Sequence, residues 1–182
     1  MFRQFITLMS DLALCLLAAL ALGPLAAGHA GAGELTIQKE KRSLTYTDGN
    51  VTREFQVSLG FTPTGAKLKQ GDGKTPEGVY FITHKNPKSN FYLSLGISYP
   101  DAEDAKEALR ARLISRGEYA AITKAIRLHR TPPQNTRMGG AIYIHGGGAR
   151  SDWTWGCIAL NNEDMAFLFE HVRAGDKVTI FK

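Results

Sequence analysis

The sequence predicts a single β-rich α+β domain over residues 33–182, preceded by an export segment over residues 1–32. Three observations carry this. Short stretches of alternating apolar and polar residues recur along the chain, bounded by Gly, Pro, Asn and Asp. Glycine is abundant at 19 residues, which suits turns and close backbone approaches more than long helices. Hydrophobic residues make up 43% and charged ones 21%, a globular balance that excludes disorder, collagen and coiled coil. The formal net charge is +5, but the basic residues are scattered, so no nucleic-acid patch is expected.

Residues 1–32 have the layout of a secretory signal: Arg3 at the start, an almost wholly apolar run from Leu12 to Ala27, then small residues with an A-x-A site at Ala30-Gly31-Ala32. The run is short for a membrane span, and Asp11 lies beside it, so an uncleaved anchor stays as the alternative. Cys15 sits mid-segment after Leu14, a poor context for lipidation. The expected location is the periplasm or cell envelope.

Along the mature chain, Glu34–Lys39 and Ser43–Thr47 alternate as strands, Asp48-Gly49-Asn50 turns, and Val51–Leu59 returns to complete a hairpin. Gly60–Gly78 reads as a long polar loop. Val79–Thr83 and Tyr92–Ser98 are strands, with a turn placed around Asn86-Pro87. Residues 102–128 are rich in Ala, Glu, Lys, Arg and Leu and predict one helix, with Asp101 as its N-cap. Ala141–His145 is a short buried strand. Asn161 or Asn162 caps a helix to about Val172, with Met165, Leu168 and Phe169 on one face, and Lys177–Phe181 closes as a strand. No repeat or second domain is visible.

The reactive candidates are His145 and Cys157. With Cys15 removed in the signal, Cys157 has no internal disulfide partner, so in an oxidising compartment it is either buried or used. His145 ends an apolar strand and enters Gly146-Gly147-Gly148, and Trp155-Gly156-Cys157 follows twelve residues after it. A cysteine at a strand-to-helix transition lies near free backbone N–H groups, here those of Gly156 and Cys157, which favour thiolate and offer an oxyanion pocket. Together with His145 as proton acceptor they are expected to bring the thiol pKa below the roughly 8.5 of free cysteine. The plain alternative is a packed histidine and a small core thiol. Other chemistries lack their motifs: no S-x-x-K, G-x-S-x-G, Walker loop or H-E-x-x-H occurs. Gly71-Asp-Gly-Lys-Thr75 is glycine-rich without phosphate-loop spacing, and His84, His129 and His171 lack ligand spacing.

At these residues the chain resembles a known family. Ile144-His145-Gly146, followed by Gly156-Cys157-Ile158, is similar to the signature of L,D-transpeptidases of the YkuD type. Gly71–Tyr80, Asn86–Pro100 and Trp153–Leu160 extend the likeness in the same order over nearly all of residues 34–182. The resemblance implies a mixed β-sheet sandwich with a few helices, in which Cys157 is the nucleophile, His145 the general base, and the Gly146 carbonyl the group that orients the imidazole. It implies peptidoglycan stem peptides as substrate, with a wall-attached protein as a further acceptor or leaving group, and neither metal nor cofactor. The oligomeric state is not implied. Two positions depart from the pattern. Ala159 stands where many members carry a substrate-holding Arg, and Trp155 where many have His or a small residue. Arg150, Arg137 and Lys74 are candidates for the missing cation, and Trp155 either walls the cleft or packs. A transpeptidase, an L,D-carboxypeptidase or amidase-type hydrolase on the same site, and a non-catalytic wall-binding module are the functions to be separated.

Overall fold

A computed structural model describes residues 32–182; the predicted export segment falls almost wholly outside the described residues. Eight strands and three helices follow in the order β1 (Glu34–Gln38), β2 (Ser43–Asp48), β3 (Val51–Gln56), β4 (Gly78–Ser89), β5 (Tyr92–Ile97), α1 (Ala102–Arg110), α2 (Arg116–Arg127), β6 (Tyr143–His145), β7 (Ile158–Ala159), α3 (Asn162–His171) and β8 (Lys177–Phe181). The strands form one sheet in the order β3-β2-β1-β8-β4-β5-β6-β7. β1 and β8 are parallel, as are β6 and β7, while the other neighbours are antiparallel.

The sheet curls back on itself. Just past β3, Ser58 pairs with Ala159 of β7 through two backbone hydrogen bonds of 2.9 and 2.8 Å, so the two ends of the strand order meet. The two halves thereby face each other across one core, the sandwich that the resemblance implied. In β1 the alternation is carried out as read: Leu35 and Ile37 are buried while their neighbours are half-exposed. They pack with Leu44, Ile82, Leu95, Ile144, Ile158, Val178 and Ile180, and α3 covers this face with Met165 and Leu168. β3 presents Arg53 and Glu54 to solvent, charges that discourage a further strand from adding at that edge.

Two elements differ from the sequence reading. The expected turn at Asn86-Pro87 lies inside β4, which runs on to Ser89 through an irregular register and turns only after it. Proline is tolerated there because a bulged stretch leaves its missing N–H without a ladder partner to lose. The single helix over 102–128 is two. α1 ends where Arg112 takes a positive φ of 57°, and Ser115 then opens α2 with a capping box to Glu118. Asp101 caps α1 as expected, in a capping box with Asp104. These helices form a satellite core of Ala105, Ala108, Ile114, Ile122 and Met138.

Candidate active site

β6 and β7 set His145 and Cys157 side by side. Ile144 is level with Ile158, and His145 with Ala159. Cys157 therefore precedes β7 at the level of Tyr143, and the period-2 pleat puts its side chain on the face that carries His145. Both line one cavity of about 360 Å³, with Phe91 and Ser94 among the other walls.

His145 is buried, with 3% of its surface exposed. Its Nδ1 lies 2.6 Å from the Gly146 carbonyl. A carbonyl only accepts, so Nδ1 carries the proton and Nε2 is left as the acceptor. Phe91 stacks on the ring at 4.6 Å and Trp153 meets it edge-on at 5.6 Å, which hold its plane. Burial lowers the imidazole pKa, and the Gly146 carbonyl opposes this by favouring the protonated ring.

Cys157 corrects the expectation of a lowered thiol pKa. Burial pushes the thiol up; a backbone contact with Tyr143 and the charge of Lys67 act in the opposite direction without overcoming it. The resting pair is thus neutral thiol and neutral imidazole. Sγ hydrogen-bonds the Ala141 carbonyl at 3.6 Å, not the ring. Ala141 has a positive φ of 53°, and its N–H donates to Gln134 Oε1 at 2.5 Å. The cysteine is also separated from α3 by β7. Asn161 is the N-cap of that helix but makes no side-chain cap, which corrects the expected one: the asparagine oxygens hold the glycine loop instead, Gly147 N–H donating to Asn162 Oδ1 and Ala149 N–H to Asn161 Oδ1.

Thr154 shapes the turn that carries the thiol, and sequence reasoning passed over it. Its buried hydroxyl accepts from Gly156 N–H at 3.1 Å and donates to the Cys157 carbonyl at 2.8 Å. The available signal was a threonine two residues before Gly156, the spacing of an ST-turn. The Gly156 N–H is consequently occupied, which corrects its assignment as an oxyanion donor. Gly156 is needed for another reason: its φ is +128°, and a Cβ there would lie 2.5 Å from the Lys74 carbonyl. The Gly71–Thr75 loop is thus the bed of the cysteine turn. Asp72 holds that loop by accepting from Leu68, Lys69 and Lys74 N–H groups.

The candidate substrate cations scatter. Arg150 is exposed and lines a different cavity, with Gly147, Trp153 and Glu163. Arg137 is exposed and lines neither cavity that contains Cys157. Lys74 offers the site its backbone, while its ammonium lies beside Gly65. Ala159 is fully buried in the sheet, so its side chain is closed off from the cleft. Trp155 is 67% exposed and meets Phe61 edge-on at 4.7 Å, which makes it a wall of the second cavity at Cys157.

A thiol beside a tautomer-fixed imidazole, on adjacent strands of a curled mixed sheet, has the parts of a cysteine acyl-transfer site. The model of the L,D-transpeptidase catalytic domain, YkuD, matches residues 33–180. The chain belongs to that family, whose chemistry is the modification of peptidoglycan. Among solved structures it is similar to the helical cell shape determining protein Pgp2 from Campylobacter jejuni, with 23% identity and a TM-score of 0.56 over 83% of this chain and 48% of that one. The K307A mutant of Pgp2 gives 23% and 0.57 over 83% and 47%. Bd1075 of Bdellovibrio bacteriovorus gives 21% and 0.51 over 84% and 48%. The chain spans about half the length of these proteins, and at such identity the likeness is one of fold. No curated protein matches the sequence. Among the described residues, no helix is long and apolar enough to cross a membrane.

Proposed function

We propose that the chain is an exported L,D-transpeptidase that acts on peptidoglycan stem peptides through a Cys157 acyl-enzyme. The observation that carries this reading is the convergence of the thiol and the free Nε2 of His145 on one cavity, with Nδ1 committed to the Gly146 carbonyl. In the first step the thiol turns from Ala141 towards Nε2 and gives up its proton. Sγ bonds to the carbonyl carbon of the diamino acid, the amide C–N bond breaks, and His145 returns the proton to the departing amine. In the second step an amine of a neighbouring stem attacks the thioester, His145 takes its proton, and the thiolate leaves and is reprotonated. The peptide bond is exchanged with no net redox change and no metal.

Of the two backbone donors first considered for the tetrahedral oxyanion, Cys157 N–H is the one assigned that role, since Thr154 occupies the other. Transfer is favoured over hydrolysis by a second cavity of about 450 Å³ that meets the first at Cys157, giving donor and acceptor separate access to one sulfur. Mass analysis of muropeptides incubated with the purified protein tests this. A cross-linked dimer supports the transferase; a shortened monomer with no dimer makes the enzyme an L,D-carboxypeptidase; unchanged muropeptides reject both.

A further inference from the structure

The second cavity at Cys157 is lined in part by Lys67, a buried lysine whose ammonium has an unused hydrogen. Lys67 is 4% exposed, and its Nζ donates to the Lys69 carbonyl at 3.0 Å and to Asp72 Oδ1 at 2.9 Å. An ammonium has three N–H groups, so one is unspent. Lys39, the other buried lysine among the described residues, shows the contrast. Its Nζ has three acceptors, the Gly65 and Thr75 carbonyls and Glu77 Oε1, at 2.8, 3.0 and 2.7 Å. A buried charge with a free donor is costly unless something else meets it.

Asp72 balances the charge of Lys67 across a 2.9 Å ion pair but takes only one of its N–H groups. Its carboxylate is shared with the Leu68 and Lys69 N–H groups on Oδ2 and with Lys74 N–H on Oδ1. The acidic groups of the adjoining cavity are engaged elsewhere: Glu77 with Lys39, Glu103 with Lys106, Glu107 with Arg110, Asp101 and Asp104 with each other's backbone, and Asp104 also with Tyr80. The cavity that Lys67 shares with Cys157 is lined by no carboxylate; its other polar side chains are Gln70 and Gln134. The lysine with the unspent N–H therefore lines a space that ends at the thiol and holds no carboxylate of its own.

We infer that Lys67 is the carboxylate-binding residue of the substrate cleft, so that the Trp155 side of Cys157 takes the anionic end of the peptide. This rests on the peptide-acyl reading above and goes beyond it by assigning which cation and which side. Two carboxylates of a stem peptide have this chemistry: the α-carboxylate of the departing residue and the side-chain carboxylate of the diamino acid.

The test is calorimetric binding of stem tetrapeptides to the Cys157→Ser protein, which holds substrate without acylation. Three peptides are compared: the free acid, the C-terminal carboxamide, and the form amidated on the diamino-acid side chain. A charge-assisted hydrogen bond to a buried lysine corresponds to about a 10- to 100-fold change in Kd. The free acid should bind that much tighter than one of the two amides, and that amide names the carboxylate. Adding Lys67→Met should erase the difference and Lys67→Arg should restore part of it. Equal Kd values for all three peptides, no measurable binding of the free acid, or a preference that survives Lys67→Met in a protein of parental melting temperature would each overturn the assignment. Should Lys67→Met not fold, the parental comparison of acid with amides decides. Acylation of Cys157 in the unsubstituted protein is scored separately. Its absence rejects the acyl-enzyme, whereas acylation without carboxylate preference rejects only the role of Lys67.

Discussion

Thr154→Val isolates the geometry of the cysteine turn from its chemistry. Valine nearly matches threonine in volume, so the change removes one hydroxyl and leaves packing intact. It strands the buried Gly156 N–H, bonded at 3.1 Å in the parent, and removes the donor to the Cys157 carbonyl at 2.8 Å. An unsatisfied buried N–H costs about 1–3 kcal/mol and the second bond about 1 kcal/mol, so a loss of roughly 2–4 kcal/mol is expected. For a domain of this size that lowers Tm by roughly 4–16 °C. Acylation should suffer more than stability, because a misplacement of about 1 Å costs on the order of 100-fold in rate. The assay is a thermal melt alongside the rate of Cys157 adduct formation by intact-protein mass spectrometry. Thr154→Ser, which keeps the hydroxyl, should stay close to the parent in both. Parental melting and parental acylation in Thr154→Val would refute the argument, as would a serine variant as impaired as the valine one.

Gly156→Ala places a Cβ against the Lys74 carbonyl at a φ of +128°, and should cost about 2–4 kcal/mol and most acylation; a variant that melts with the parent would show that the loop beneath it yields. The raised thiol pKa predicts that iodoacetamide alkylation of the folded protein rises with pH along a curve centred above the roughly 8.5 of free cysteine, whereas a midpoint below that value would indicate a resident thiolate–imidazolium pair. Asp104 is pushed up to about 7 by burial and by the neighbouring Asp101. Its folded pKa lies above the unfolded value, so the folded state holds a proton the unfolded chain has lost, and stability falls as pH rises from about 4 to about 7. Asp104→Asn carries no charge to bury and should gain on the parent by on the order of 1–2 kcal/mol between pH 5 and pH 8; a pH-independent difference in melting would contradict this.

Much of the fold was legible because it is written in local patterns. The alternation of Leu35 and Ile37, the Asp48-Gly49-Asn50 turn and the Asp101 cap each act over a few residues. The break between α1 and α2 was written too, in Ser115 and Glu118, but helix-forming residues on both sides concealed it. The course of β4 through Pro87 was not legible, since the irregular pairing with β5 that permits it is tertiary. At the site, the placing of His145 and Cys157 followed from their motif and was met by the register of β6 and β7. The thiol's surroundings were beyond sequence reasoning. Desolvation, the Ala141 acceptor and the approach of Lys67 all depend on residues 16 to 90 positions from Cys157, and no local spacing reports them.

The central claim is that Cys157 is acylated with neutral His145 as its base. Intact-protein mass spectrometry during incubation with a stem tetrapeptide, or with a carbapenem as mimic of the acyl donor, tests it most directly. One adduct should form on Cys157 and none on Cys157→Ser. His145→Ala should slow it by on the order of 100-fold or more at neutral pH while folding as the parent does. The parental rate should hold as pH falls until it passes below about 6.5, where burial has moved the imidazole pKa. A Cys157 that reacts only after denaturation, or a folded His145→Ala variant acylated as fast as the parent, would contradict the account.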